Sequence, residues 1–260
     1  MQLPEIVSYE RLDLARACNR GQRGPIDPGA VRSPVALVGI LRIAYVRVDA
    51  RDSQGTYRPL KPLTAQESVP VVLIEQEPPR STWLEQLHAA ERLSAKPALI
   101  PDEPQSRSVV IGLVAELCAE GGFGWCRRLQ MIQRLSAADA SERDKRTAGY
   151  LNHKYGRGSP YDAEERSEAI VSFFATRLRS QEATGSWLFV GRQVTAVDLA
   201  WAAFAALLRP LPESDCPMHP RARELWSWTP KSIDSKDVAM LLAHRDRVYR
   251  EFLMLPVPTQ

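Results

Sequence analysis

Apolar positions are densest between residues 187 and 212, WLFVGRQVTAVDLAWAAFAALLRPLP. A short apolar run over 187–190 stops at Gly191, and Thr195-Ala-Val-Asp198 then has the spacing of a capping box. In such a box the Thr195 hydroxyl accepts from the Asp198 amide while the Asp198 carboxylate accepts from the Thr195 amide. From Leu199 to Leu208 no wide polar face remains, so the pattern predicts a helix buried nearly all round, stopped at Arg209-Pro210. Helical stripes surround it. Val109, Val110, Leu113, Val114 and Leu117 recur through 106–118, and a second helix follows Gly121-Gly122 with Phe123, Trp125, Arg127 and Arg128 near its start. Residues 136–146 are polar and charged; after Pro160, Ile170, Phe173, Phe174 and Leu178 share one stripe, and a last helix is expected over 235–255.

The upstream third has a different rhythm. Strands are expected over 3–9, 45–49 and 68–74, with a long Gly- and Pro-containing loop over 10–32, a short apolar helix over 35–41 behind Ser33-Pro34, and a turn over 75–79. A helix starts near Ser81 and runs to about Arg92; Ser81 and Glu85 stand one residue too far apart for the strict capping box. This order is the layout of a thioredoxin-like α/β domain. Pro97, Pro101 and Pro104 mark a linker, so the expected domains are 1–96, a linker over 97–105, and an all-helical domain over 106–260.

Composition narrows the class. A chain of 260 residues with 44% hydrophobic content can bury a sizeable core, and 34 basic against 31 acidic residues is too balanced for a nucleic-acid partner. Cys18, Cys118, Cys126 and Cys216 have irregular spacings, which argues against a zinc site or a secreted disulfide frame and for no metal. Glu5, Glu10 and Asp13 interrupt what a signal peptide would need, and no run approaches membrane-spanning length. A cytoplasmic protein without a membrane partner is the expectation.

Several residues are candidates for chemistry. Pro70 has no amide for a ladder, so either an edge strand begins there or the main chain around it is open to a ligand. Ser33 and Ser81 stand at helix starts, where amides and the macrodipole favour an anion, although each also serves as an ordinary cap. Arg32 would lower the pKa of a thiol bound beside Ser33, and Tyr9 is the runner-up hydroxyl. His153 has no carboxylate at a telling spacing, and Cys216 with His219 makes too small a set for a metal.

The buried helix begun by Thr195-Ala-Val-Asp198, together with the Tyr155-Gly156, Val190-Gly191, Pro210-Leu211-Pro212 and His244-Arg245-Asp246 marks, resembles the helical domain of the glutathione transferase superfamily over most of 100–260. Upstream, the resemblance rests on the layout and on Val69-Pro70, and 28–45 is similar to the pattern of etherase-like members. The resemblance implies an α/β thioredoxin-like domain plus an all-α bundle, glutathione as co-substrate, and thiolate attack on a small hydrophobic electrophile held between the domains. It implies that Val69 and Pro70 meet the cysteinyl part of glutathione, that Ser81 with Arg80 meets its γ-glutamyl end, and that Arg32 and Ser33 lie by the sulfur. It also implies that Phe123, Trp125 and Arg128 line the co-substrate pocket, and that the chain dimerises. Arg80 stands where the family has an acid, and Pro28 where etherase-like members have the serine. A thiol-dependent isomerase of the same fold, or a non-catalytic binding or interaction module that kept it, are the alternatives.

Overall fold

The computed structural model describes residues 7–8, 48–49, 58–65, 71–74, 77–93, 98–156, 162–253 and 255. The chain divides into two compact units: Met1–Ala98 with Val257–Gln260, and Leu99–Pro256.

In the first unit, β1 (Val7–Ser8) and β2 (Val48–Asp49) pair in parallel, Val7 opposite Val48 and Ser8 opposite Asp49. Parallel neighbours require a crossover rather than a hairpin, as the order strand, connection, strand anticipates. Val72 and Arg80 form an antiparallel bridge in which each amide donates to the other's carbonyl at 2.9 Å, and the Glu77 amide closes the turn on the Ile74 carbonyl. A one-turn helix, α1 (Lys61–Thr64), lies in what the sequence pattern gives as a polar connection.

Helix α2 (Trp83–Leu93) follows the bridge and buries Gln86, Leu87, Ala89 and Ala90. Its start differs from the expectation by one residue. The cap is Thr82, whose hydroxyl accepts from the Glu85 amide at 3.3 Å, while the Glu85 carboxylate accepts from the Thr82 amide at 3.0 Å. Thr82-Trp-Leu-Glu85 thus has the strict Thr-x-x-Glu spacing that Ser81 and Glu85 lack. The helix expected over 35–41 lies outside the described residues.

The second unit is helical: α3 (Pro104–Cys118), α4 (Phe123–Leu135), α5 (Glu142–Tyr155), α6 (Ala163–Glu182), α7 (Ala196–Phe204), α8 (Pro220–Trp226) and α9 (Ser235–Phe252). Leu99 and Ile100 are buried, the Leu99 carbonyl accepts from the Ala196 amide, and Glu103 caps α3 with Pro104 in its first turn. The stretch expected to link the domains therefore contributes core and a helix start. Against the expectation that no run approaches membrane-spanning length, Pro104–Leu135 is long and apolar enough to cross a membrane by length and composition alone, and half of its apolar window is buried. A break at 119–122 divides it into α3 and α4, and Val110, Leu113, Val114 and Leu117 are spent inside the bundle.

At the centre stands α7. All nine of its residues are buried, and a 3-10 turn over Ala205–Leu207 tightens its end ahead of Pro210. Trp201 stacks on Phe174 with centroids 5.2 Å apart, meets Phe123 and Phe189 at 6.2 and 6.1 Å, and donates its Nε1–H to the Leu241 carbonyl at 3.0 Å. An indole so deeply buried needs that acceptor. Helices α3 and α9 pack on α7, and α4 packs on α5 and α6. A Cβ on Gly124 would lie 2.1 Å from the Phe204 ring, so the approach of α4 to α7 depends on that glycine. Phe173, placed on the same stripe as Phe174 by its spacing, is half exposed.

Asp198 organises the start of α7. One carboxylate oxygen accepts from the Thr195 amide (2.8 Å) and the Thr195 hydroxyl (2.9 Å); the other accepts from the Phe189 amide (3.0 Å) and lies 3.0 Å from His244 Nε2 on α9. Replacing Asp198 by alanine strands buried donors on three segments. We expect a loss of about 3 kcal/mol or more in the denaturant-unfolding free energy, against about 1 kcal/mol for Thr195→Ala.

Candidate functional site

Two places in the described residues carry the expected site residues, one in each unit. The first is the start of α2. Arg80 sits at the end of the Val72 bridge, and its guanidinium pairs with Glu77 at 3.1 Å. Arg92, one helix length away, pairs with the same carboxylate at 2.6 Å, and the two arginines hold Glu77 below the usual carboxylate range, Arg92 contributing more. Arg80 thus neutralises an internal acid. The Gln86 side chain donates to the Arg80 carbonyl, fixing the strand end against the helix.

Beside it the two amides just ahead of α2 point at one carboxylate. Glu85 accepts from Ser81 N at 3.2 Å, Thr82 N at 3.0 Å and the Thr82 hydroxyl at 2.9 Å. Hydrogen bonding from Thr82, first from its backbone, lowers the Glu85 pKa. Ser81 therefore lies where an anion is favoured, and an anion supplied by the chain already occupies the place.

The second place is the first turn of α4 with the end of α5. Phe123 is fully buried between Trp201 and Trp228, so it serves the core. Trp125 meets the Tyr155 ring edge-on at 5.0 Å, and its Nε1 is buried without a hydrogen-bond partner among the described residues. The Arg128 guanidinium and the Lys154 ammonium each lie 5.3 Å from the centroid of that ring. Arg128 donates through Nη1 to the Gly124 carbonyl. Tyr155 enters from sequence only as part of the Tyr155-Gly156 mark, and Lys154 does not enter at all. Their signal was present in the Tyr-Gly pair after a basic stretch, but only packing shows that it meets α4.

Arg127, next to Arg128, is buried and has no carboxylate among the described residues. It donates to the Leu207 carbonyl at 3.0 Å and to Gln130 Oε1, and lies 5.0 Å from the Trp228 ring. Desolvation draws its pKa down to about 9.

Tyr9, Arg32, Ser33, Val69 and Pro70 lie outside the described residues. His153 is exposed at the surface of α5, and His219 caps α8, its Nδ1 accepting from the Arg221 amide at 3.3 Å. Among the described residues, no three of His, Cys, Asp and Glu come together to hold a metal ion. Cys118 and Cys126 are thiols outside any disulfide. Desolvation raises the Cys118 thiol to about 12 despite Arg128 nearby, and Cys126 to about 11.

No protein-family model matches the chain, and no curated protein sequence does. Solved structures do. A glutathione S-transferase domain-containing protein of Marinobacter aquaeolei VT8 is 16% identical with a TM-score of 0.56, over 87% of this chain and 96% of that one. A glutathione S-transferase of Xanthobacter autotrophicus Py2 is 16% identical with a TM-score of 0.54, over 89% and 93%. Maleylacetoacetate isomerase of Methylobacterium extorquens AM1, solved with malonate and GSH bound, is 19% identical with a TM-score of 0.51, over 86% and 88%. The chain has the glutathione transferase fold.

Two measurements check these electrostatics. Because the Glu85 pKa is lowered in the folded chain, its cap is complete above the unfolded carboxylate value of about 4.3 and is lost as pH falls through the folded one. Amide exchange at Ser81 and Thr82 should lose protection in acid in the parent, and be unprotected at neutral pH in Glu85→Ala. At pH 8 the native chain should leave Cys118 and Cys126 unalkylated by iodoacetamide, with both labelled after unfolding, as read by peptide mass mapping.

Proposed function

We propose that this protein is a glutathione transferase-like enzyme that adds the thiolate of glutathione, or of a related thiol, to a small hydrophobic electrophile. The observation that carries this reading is the likeness of fold over nearly the whole of both chains, including neighbours named as glutathione S-transferases. A thiol-dependent isomerase needs the same thiolate and releases it afterwards. The neighbouring maleylacetoacetate isomerase, solved with GSH bound, supports that variant.

In this reading Val69 and Pro70 offer main-chain groups to the cysteinyl part of glutathione, Arg80 and Ser81 face its γ-glutamyl end, and Ser33 donates to the sulfur with Arg32 beside it. Tyr9 is the alternative donor. A thiol enters catalysis as thiolate, so a hydroxyl donor and a nearby cation are the groups the reaction needs. The chain's own Cys118 and Cys126 are held protonated and are unsuited to supply the nucleophile. Trp125 and Arg128 receive the electrophile. We place the protein in the cytoplasm, where its thiols stay reduced, and propose a homodimer.

A second reading has a specific observation in its favour. Arg80 is tied to Glu77, and the Ser81 and Thr82 amides are tied to Glu85, so the groups a γ-glutamyl end would meet are satisfied internally. A binding or interaction module that kept the fold would look this way.

Retention on immobilised glutathione, with thiol-dependent turnover of 1-chloro-2,4-dinitrobenzene, is the expected result; neither retention nor turnover would leave the module reading. Ser33→Ala should lower turnover by about 10²-fold or more with an unchanged melting temperature. Unchanged turnover would remove Ser33 and turn attention to Tyr9.

A further inference from the structure

Half-buried cations normally come with counter-ions, because the field of an unpaired charge in a low-dielectric setting is costly. Arg166 follows the rule, pairing with Glu116 at 2.6 Å, and the buried Arg127, which has no carboxylate among the described residues, is held by the Leu207 carbonyl and Gln130 instead. Arg128 and Lys154 depart from it. Both are half-buried, both lie against the Tyr155 ring, and neither has a carboxylate partner among the described residues. Only Nη1 of Arg128 is engaged, by the Gly124 carbonyl, and Lys154 Nζ makes no hydrogen bond among the described residues. The nearby Cys118 thiol stays protonated and supplies no negative charge.

An independent feature lies at the same ring. Trp125 packs edge-on against Tyr155, and its Nε1–H is buried with no acceptor among the described residues. A buried donor without a partner costs free energy comparable to a lost hydrogen bond, and its presence calls for an acceptor. Two unneutralised cations and one orphan donor lie around a single ring, and each is a group that an anion with several acceptor oxygens can meet.

We propose that Trp125, Arg128, Lys154 and Tyr155 form a binding site for the carboxylate of a small organic acid. A carboxylate suits the set because it presents two oxygens, one for the free edge of the guanidinium and one for the ammonium. Its role as the anchor of the substrate rests on the thiol-transfer reading above. There it narrows the electrophile to one that carries a carboxylate, and gives Arg128 and Lys154 the task of orienting it.

The test is calorimetric titration of the full chain, without thiol, with cinnamate and with cinnamamide, which differ in charge and little in shape. We expect cinnamate to bind at least about tenfold more tightly, and Arg128→Gln and Lys154→Gln each to cost about tenfold in its affinity alone. Trp125→Phe, which keeps the ring and removes the donor, should weaken cinnamate and leave cinnamamide unchanged. Both cations lie at the margin of the core, so a melting curve that matches the parent identifies the folded variants. Equal affinity for the two ligands, no binding of cinnamate, or cinnamate affinity unchanged in a folded Arg128→Gln/Lys154→Gln double variant overturns the site. Thiol turnover of neutral 1-chloro-2,4-dinitrobenzene is read separately on the same preparations. Its absence with charge discrimination intact removes the thiol reading and leaves the carboxylate site standing; its presence without discrimination does the reverse.

Discussion

A single carboxylate ties the turn at Phe189 and the start of α7 to α9, 46 residues further along the chain. Asp198 accepts from the turn at Phe189, from both donors of Thr195 at the mouth of α7, and contacts His244 on α9. A carboxylate offers about four lone-pair sites, and here each has a partner. With two amides and a hydroxyl already donating, a His244 Nε2–H completes the set, and Nδ1 has no partner among the described residues, near the rings of Trp187 and Phe189. A fully buried acid is tolerable only when satisfied in this way, and the same bonds fix where α7 begins and which face α9 turns towards it.

The rest of the helical unit follows from that placement. Once α7 is fixed, Trp201 is set among Phe123, Phe174 and Phe189, and Gly124 lets α4 come close to Phe204. The outer layer is tied on by polar contacts of a different kind. Asp144, in the Ser141 capping box, pairs with Arg221, and Glu168 accepts from the Lys231 and Ser232 amides ahead of α9. Gln130 binds the Ala163 carbonyl and Ser167 at 2.8 and 2.9 Å, joining α4 to the start of α6. Rings and buried hydrogen bonds thus close the interior together, and ion pairs such as Asp144 with Arg221 tie on the outer helices.

How much was legible in the sequence depended on whether burial or partnership defined an element. The α7 axle, its capping box and the α3 stripe were readable, because a long apolar run must be buried and a Thr-x-x-Asp spacing ahead of it sets a helix start. Helix α5 was not: it buries only Asp144 and Ala148, so its hydrophobic rhythm is nearly silent, and its start is written instead in Ser141 and Asp144. At α2 two hydroxyl residues in succession offered themselves as the cap, and Thr82 rather than Ser81 has the correct distance to Glu85. Arg80 read as a reversal of charge facing a ligand. Its partner Glu77 stands only three residues before it, but in a turn whose geometry the sequence does not specify. Phe123 and Trp125 looked alike as aromatics near a helix start, and only packing divides them between core and margin.

Arg127 and Arg128 show the same division at its sharpest, because they are consecutive. Adjacent residues on a helix diverge by about 100°, so one guanidinium is carried inward and the other to the rim. Arg127 ends among carbonyls of Leu207 and Trp226, the amide of Gln130 and the face of Trp228, a set of dipoles that holds a cation without an acid. Such a cradle is complete; an added anion would have to displace packed backbone, and burial already draws the arginine towards its neutral form. Arg128 has one carbonyl, a ring shared with a second cation, and an edge left over. The difference between the two arginines therefore lies in how much of each guanidinium the fold itself satisfies. Only the second retains donors that a ligand could complete without disturbing the core.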